Sequence, residues 1–180
     1  MILKDYDISL VYRLLEPGPV VMVTTSRDGR PNVMTMSWHT MMEFTPPLIG
    51  CVISDRNYTF DALKATKECV IAIPSVKLAG KVVQVGSVSG RNTDKFKTIG
   101  LTPKPAFIVK APIIAECFAN IECRVVDTSL VNKYNFFIME AVKASIDHAQ
   151  KNPKTLHHHG KGTFVSDGVK IRRKFNSLEP

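Results

Sequence analysis

The segment from Val20 to Thr40 limits the fold of this chain more than any other. An apolar run, Val20–Thr25, is followed by Asp28-Gly29 and a second β-prone run, Asn32–Thr40. Asp-Gly between two such runs signals a hairpin, because both residues tolerate the positive φ of a tight turn. Val20–Thr25 is apolar on both sides apart from its threonines, as in a strand covered on both faces. Asn32–Thr40 alternates, with Met34, Met36 and Trp38 on one side and Thr35, Ser37 and His39 on the other. The pattern predicts that Trp38 enters a core while hydroxyls and an imidazole line the opposite face. By alternation alone, an edge strand with a solvated polar face is the simpler reading.

The remaining elements follow from similar signals. Tyr6–Leu15 reads as a short N-terminal element ended by Pro17-Gly18-Pro19. Pro46-Pro47 forces a turn, since each proline fixes φ and removes a donor. Leu48–Ser54 then reads as a buried strand, and Tyr58–Thr66 as a helix that Asp55 or Asn57 can cap. Cys69–Ile73 is a strand stopped by Pro74. Leu78, Val82 and Val85 give Val76–Val85 helical spacing. Ser87–Arg91 is a loop, and Asp94–Ile99 a helical turn closed by Gly100.

Ile113–Val125 alternates throughout, with Cys117, Ile121 and Cys123 on one side and Asn120, Glu122 and Arg124 on the other. That exceeds a mean strand of about six residues, and predicts one long strand curving around a barrel. Tyr134–Ile146 places Phe136, Ile138, Val142, Ala144 and Ile146 on one side. Thr163–Val165 and Val169–Ile171 flank Asp167-Gly168, which predicts a terminal hairpin. There is no repeat, low-complexity tract or linker, so residues 1–180 read as one domain. Mainly antiparallel strands with a few short helices suggest a six-stranded β-barrel with helices packed around it.

Charge and cysteines exclude several classes. The net charge of +8 is uneven: 17 basic against 14 acidic residues over 1–150, and 7 against 2 over 151–180. Lys170, Arg172, Arg173 and Lys174 make a basic tail without the interleaved aromatics of a single-strand nucleic-acid binder. No apolar run is long enough to span a bilayer. Met1–Leu10 carries Lys4, Asp5 and Asp7 and lacks a secretory apolar core, so a cytoplasmic protein is expected. Cys51, Cys69, Cys117 and Cys123 form no C-x-x-C pair and read as small buried hydrophobes.

His157-His158-His159 cannot all face one metal in a strand, because neighbours alternate. A loop could gather two of them with His148 or a carboxylate, but a surface loop is the simpler reading, and no metal site is assigned.

A hydroxyl-bearing strand, a Pro-Pro turn, a buried strand, and then Arg56-Asn57-Tyr58-Thr59 at a helix start resembles the flavin reductase and flavoredoxin-like family. Asp94-Lys95-Phe96, Gly100-Leu101-Thr102-Pro103 and Ala111–Cys117 extend the likeness over about residues 15–145, leaving 146–180 as a C-terminal extension. The resemblance implies a split barrel that binds FMN, in a homodimer with the flavin near the subunit contact.

FMN poses two recognition problems. Its phosphate is met by arginine, hydroxyls and free donors at a helix start, for which Ser54, Arg56, Asn57 and Thr59 are the candidates. Its flat ring needs a slot with hydrogen bonds at the rim. By resemblance, Asn32, Thr35, Ser37 and Thr40, with Trp38 and His39, run along the ring and ribityl chain. Ser89, Gly90 and Arg91 form an approaching loop, and Lys95 adds charge. Flavin N5 would be the reactive centre, with His39 the candidate protein group beside it.

No G-x-G-x-x-G is present, so NAD(P)H would have no Rossmann site here. In the resembled family it stacks transiently on the flavin and passes hydride to N5, then on to free flavin or another acceptor. Many flavin reductases carry Gly-Asp-His where this chain has Lys133-Tyr134-Asn135. That departure favours the alternative of a flavoredoxin-like electron carrier serving a redox partner protein. One histidine of the 157–159 run could instead reach the flavin. A third reading is a non-catalytic split-barrel binding module.

Overall fold

The computed structural model describes residues 3–15 and 18–173. In chain order these form β1 (Leu3–Tyr6), α1 (Tyr12–Leu15), β2 (Val21–Arg27), β3 (Arg30–Met36), β4 (His39–Phe44), β5 (Pro47–Val52) and α2 (Tyr58–Thr66). There follow β6 (Glu68–Ile73), α3 (Ala79–Ser87), α4 (Lys95–Ile99), β7 (Pro103–Lys104), β8 (Ile113–Ile114), β9 (Ala119–Asp127), α5 (Val131–Tyr134), β10 (Phe136–Asp147), β11 (Leu156–His158) and β12 (Phe164–Ser166).

The main sheet is antiparallel and runs β3-β2-β6-β9-β10-β5-β4, with β1 on the far end of β10. The expected β2–β3 hairpin turns at Asp28 (φ 52°) and Gly29 (φ 74°). The two ends of this sheet, β3 and β4, are consecutive in the chain. Only Ser37-Trp38 separates them, and Val52 N–H donates to Trp38 C=O across the bend at 3.0 Å. Taken as one bent strand, β3–β4 closes the sheet into the six-stranded barrel, split where the two halves diverge to β2 and β5.

Two apolar clusters hold this arrangement. Val21, Val23, Ile49, Ile71, Ile121 and Phe137 belong to the barrel interior. Val20, Met22 and Val33 pack outside it with Val82 and Val85 of α3 and Phe96 of α4. β2 thus buries both faces, as its near-continuous apolar run requires. All four cysteines are buried and free. Burial pushes the Cys51 and Cys117 thiols up. Cys123 is pushed up by its contact with Cys69 and by burial.

Several expectations change. Trp38 is not in the core but 70% exposed, because the bend at Ser37-Trp38 breaks the two-residue period. His39 turns inward instead, and its Nε2–H donates to Pro19 C=O at 2.7 Å. The long Ile113–Val125 strand is two pieces, interrupted at 115–118. Two of its polar positions are buried, while Arg124 is exposed: Asn120 accepts from Ile114 N–H at 2.9 Å, and the Glu122 carboxylate takes the N–H groups of Phe107, Ile108 and Val109. On β10 the interior residues are first Phe137, Met139 and Ala141, then Ala144. A bulge between Ala141 and Lys143 shifts the register, moving the inward set by one residue.

The C-terminal hairpin pairs β11 with β12 through the turn at 159–163, rather than Thr163–Val165 with Val169–Ile171. Asp167 is occupied elsewhere, accepting from Thr155 N–H at 2.9 Å, from Thr155 O–H and from His157 Nε2–H. In the basic tail Lys170, Arg172 and Arg173 are exposed, while Lys174 lies outside the described residues, as do Met1, Ile2, Glu16 and Pro17.

Candidate functional site

Two clefts run along β3. One, of about 260 Å³, is bounded by Asn32 and Met34 of β3, by Arg56–Thr59 at the start of α2, by residues 86–90 and by Lys95. The other, of about 360 Å³, lies between Thr35–Ser37, Val82, Val83 and Gly86 of α3, and His158, Gly162 and Phe164 of the C-terminal hairpin. Gly86 borders both. β3 pairs only with β2, and its cleft-lining residues come from both sides of the pleat, Asn32, Met34 and Met36 as well as Thr35 and Ser37. The clefts therefore follow the strand's unpaired edge, not the single face that alternation suggested.

The smaller cleft suits an anion. Asn57 occupies the N-cap of α2 without a side-chain cap bond, so the first N–H groups of that helix keep open donor capacity beside the partial positive charge of its dipole. Lys95 is buried, and its Nζ donates to Val85 C=O at 2.9 Å. Burial pushes its pKa down, which an anion in the cleft would reverse. Asn32, 4% exposed, donates from Nδ2 to Thr59 Oγ1 at 2.9 Å, while its Oδ1 is buried without a partner. Gly90 lies so close that a Cβ there would sit 2.0 Å from that Oδ1. Orphaned acceptor, glycine cradle, uncapped helix start and buried ammonium together fit a phosphate-bearing polyol.

The larger cleft suits a flat, mostly apolar group with polar edges. Val20, Val82, Val83 and Phe164 supply apolar wall, and Thr35 and Ser37 supply hydroxyls. Thr35 Oγ1 donates to Val82 C=O at 2.8 Å, which ties α3 to β3.

Of the residues expected from the sequence, Asn32, Arg56, Asn57, Thr59, Ser89, Gly90 and Lys95 meet at the first cleft, and Thr35 and Ser37 at the second. Ser54 stands behind them, its Oγ accepting from Arg56 N–H at 3.3 Å. Arg91 turns away to Asp61 at 3.4 Å. Trp38 and Thr40 are exposed on the far side of the bend, and His39 lines neither cleft. Burial pushes the His39 pKa down, only partly countered by Pro19 C=O, so its half-buried imidazole favours the neutral form.

Sequence reasoning missed Tyr58, Gly86, Phe164 and Arg30. The Arg30 Nη2 donates to Gly90 C=O at 3.1 Å, and its guanidinium lies 5.9 Å from the Tyr58 ring centre, so it holds the 89–91 loop. A glycine in the last turn of a helix that buries Val82 and Val85 was the available signal for Gly86. Among the described residues no three His, Cys, Asp or Glu side chains are grouped to hold a metal.

Comparison with known proteins gives a consistent picture. The family model for the flavin reductase like domain matches residues 13–165. The chain is 32% identical over 173 residues to YddH of Escherichia coli K12, covering 88% of this chain and 92% of that one. The fold superposes on an FMN-binding domain of a flavin reductase-like enzyme from Shewanella baltica OS155 with a TM-score of 0.91 and 24% identity, over 96% of this chain and 98% of that one. It also superposes on the flavoredoxin of Desulfovibrio vulgaris (Miyazaki F), with a TM-score of 0.79 and 26% identity, over 88% and 91%.

Proposed function

The chain belongs to the flavin reductase-like domain family, and from that premise we propose that it is an FMN-binding oxidoreductase. In this reading the phosphate lies in the smaller cleft and the ring in the larger. The observation that carries the reading is the pairing itself. A cleft with cationic and uncapped donors meets an apolar cleft with hydroxyls at one glycine, Gly86, along one strand edge.

Bound FMN would supply a two-electron centre that accepts hydride at N5. The chain's own residues bind and orient. Arg56, Lys95 and the first N–H groups of α2 neutralise phosphate charge. Asn32 Oδ1 accepts from a sugar-alcohol hydroxyl. Thr35 and Ser37 offer hydrogen bonds to the ring's polar rim, and Val82, Val83 and Phe164 keep water from its faces. The hydride donor would be NADH or NADPH, docking transiently, and the acceptor free flavin or another oxidant.

A second reading, a flavoredoxin-like carrier with little NAD(P)H activity, is favoured by Asn135. It stands where many flavin reductases carry histidine, holds a left-handed conformation at φ 57°, and lines neither cleft. We further propose a homodimer, since Trp38, Met42 and Phe44 expose apolar surface on and beside β4. Among the described residues no helix is long and apolar enough to cross a membrane.

The deciding experiment is anaerobic reduction of the purified, FMN-loaded protein. Rapid bleaching by NADH or NADPH supports the reductase. Bleaching by dithionite alone supports the carrier. Protein that neither carries nor takes up FMN rules out both and leaves a binding module.

A further inference from the structure

The C-terminal hairpin is built into the site. Leu156 and His158, two residues apart on β11, share one side, and His157 takes the other. On the inner side Leu156 is buried in the cluster that contains Val20, Val82 and Val85, and its C=O accepts from Val20 N–H. The outer side is latched. His157 Nε2–H donates to Asp167 Oδ1 at 2.9 Å, and Thr155 donates to the same carboxylate through both its N–H and its hydroxyl. Lys154 C=O accepts from Val76 N–H at 2.9 Å, which fixes the base of the hairpin to the segment before α3.

These contacts leave little freedom for the residue between them and the tip. His158 lies on the rim of the larger cleft, opposite Thr35 and Ser37, with its ring 5.4 Å from the Phe164 ring that pairs with it across the hairpin. No hydrogen bond of its own is formed by the His158 side chain among the described residues. The ring is exposed at the cleft rim, and no protein group among the described residues takes up its donor or its acceptor.

We propose that His158 is a ring-contact residue, hydrogen-bonding a polar edge atom of the isoalloxazine, and that the Thr155–His157–Asp167 latch is its positioning device. The inference rests on the ring lying in the larger cleft. The hairpin would then supply a wall of the site from a part of the chain that follows the last barrel strand.

A neutral hydrogen bond at a partly open site changes affinity by about three- to tenfold. His158→Ala should therefore weaken FMN and riboflavin equally, by about that factor, and shift the visible absorption bands of bound flavin. His158→Gln, which keeps a donor and an acceptor, should restore most of both. The melting temperature of the flavin-free protein should move little with His158→Ala, because the side chain is exposed and its one aromatic contact, with Phe164, lies at the surface hairpin. Asp167→Asn, which weakens the latch, should reproduce part of the spectral shift.

The probes are FMN and riboflavin themselves, titrated by fluorescence. If wild type binds flavin but His158→Ala leaves both affinities and the spectrum unchanged, this inference falls while the proposed function stands. Weakening of FMN alone would put His158 at the phosphate and overturn it too. Absence of flavin binding in wild type overturns both.

Discussion

Gly90 and Asn32 touch so closely that a Cβ on Gly90 would lie 2.0 Å from Asn32 Oδ1 and 2.7 Å from its Cγ. Asn32 cannot swing aside freely, since it is buried and its Nδ2 is bonded to Thr59 Oγ1. Gly90→Ala should therefore lower stability by about 1–3 kcal/mol, the usual range for overpacking, and weaken FMN binding by tenfold or more. Gly86→Ala makes a useful contrast. Its Cβ would meet Thr35 at 3.8 Å, an ordinary contact, and alanine favours the helix by about 0.5–1 kcal/mol. It should raise the melting temperature while narrowing both clefts and weakening flavin binding. Thermal melts and flavin titrations of the two variants test the pair of opposite signs.

Arg56 tests the proposed division between phosphate and ring. It lines the smaller cleft just before the uncapped start of α2. A charge-assisted hydrogen bond contributes about 1.5–3 kcal/mol, so Arg56→Ala should weaken FMN by roughly ten- to a hundredfold. Riboflavin, which has no phosphate, should bind as to wild type, and the loss for FMN should shrink at high salt. Equal weakening of both flavins would assign Arg56 to the ring or the fold.

Lys95 carries a cost of stability that a bound anion should relieve. Burial holds its pKa below the ordinary 10.5, so the charged form is disfavoured in the folded, flavin-free protein. Between the lowered folded pKa and 10.5 the unfolded chain keeps a proton that the folded one sheds. Stability of the flavin-free protein should accordingly rise with pH through that window. Lys95→Met should abolish the rise, leave stability at neutral pH no lower, and weaken FMN by about tenfold. Denaturant melts across alkaline pH check the first, and titration the second.

At the bend, stability and exposure separate two adjacent residues. Trp38→Ala should change stability by less than about 0.5 kcal/mol, as for other surface positions, where a buried aromatic would cost about 3–5. His39 is the half-buried neighbour. Its folded pKa lies below 6.5, so as pH falls through 6.5 towards that value the unfolded chain takes up a proton that the folded chain refuses. Stability should fall across that interval and level off below it. His39→Gln, which keeps a donor for Pro19 C=O, should flatten this part of the acid profile.

The parts of the fold legible in the sequence were those set by local chemistry. Asp28-Gly29 marked the hairpin, Gly100 closed α4, and the doubly apolar run Val20–Thr25 became the strand covered on both faces. The errors arose where periodicity passes through a break that no residue announces. The Ser37-Trp38 bend inverted Trp38 and His39, and the bulge after Ala141 inverted the inward set of β10. Alternation put Asn120 and Glu122 opposite the apolar side, and nothing local reveals that Ile114 and the 107–109 backbone supply their partners. The lining of the smaller cleft could be read because its residues cluster at one helix start and one loop. The lining of the larger cleft was read only in part: a histidine of the 157–159 run was an alternative, but Phe164 gave no local signal, and both residues come from more than 120 residues beyond Thr35.

The unpaired edge of β3 also bears on solubility. A strand with one free edge is a template on which another chain can add a strand, and folded proteins cover, charge or distort such edges. Here α3 covers part of it through the Thr35–Val82 bond, and the clefts occupy the remainder. A ligand seated along that edge would complete the cover. The flavin-free chain should therefore be the more prone to edge-to-edge aggregation on storage or mild heating, and added FMN should suppress that aggregation at concentrations that track its binding.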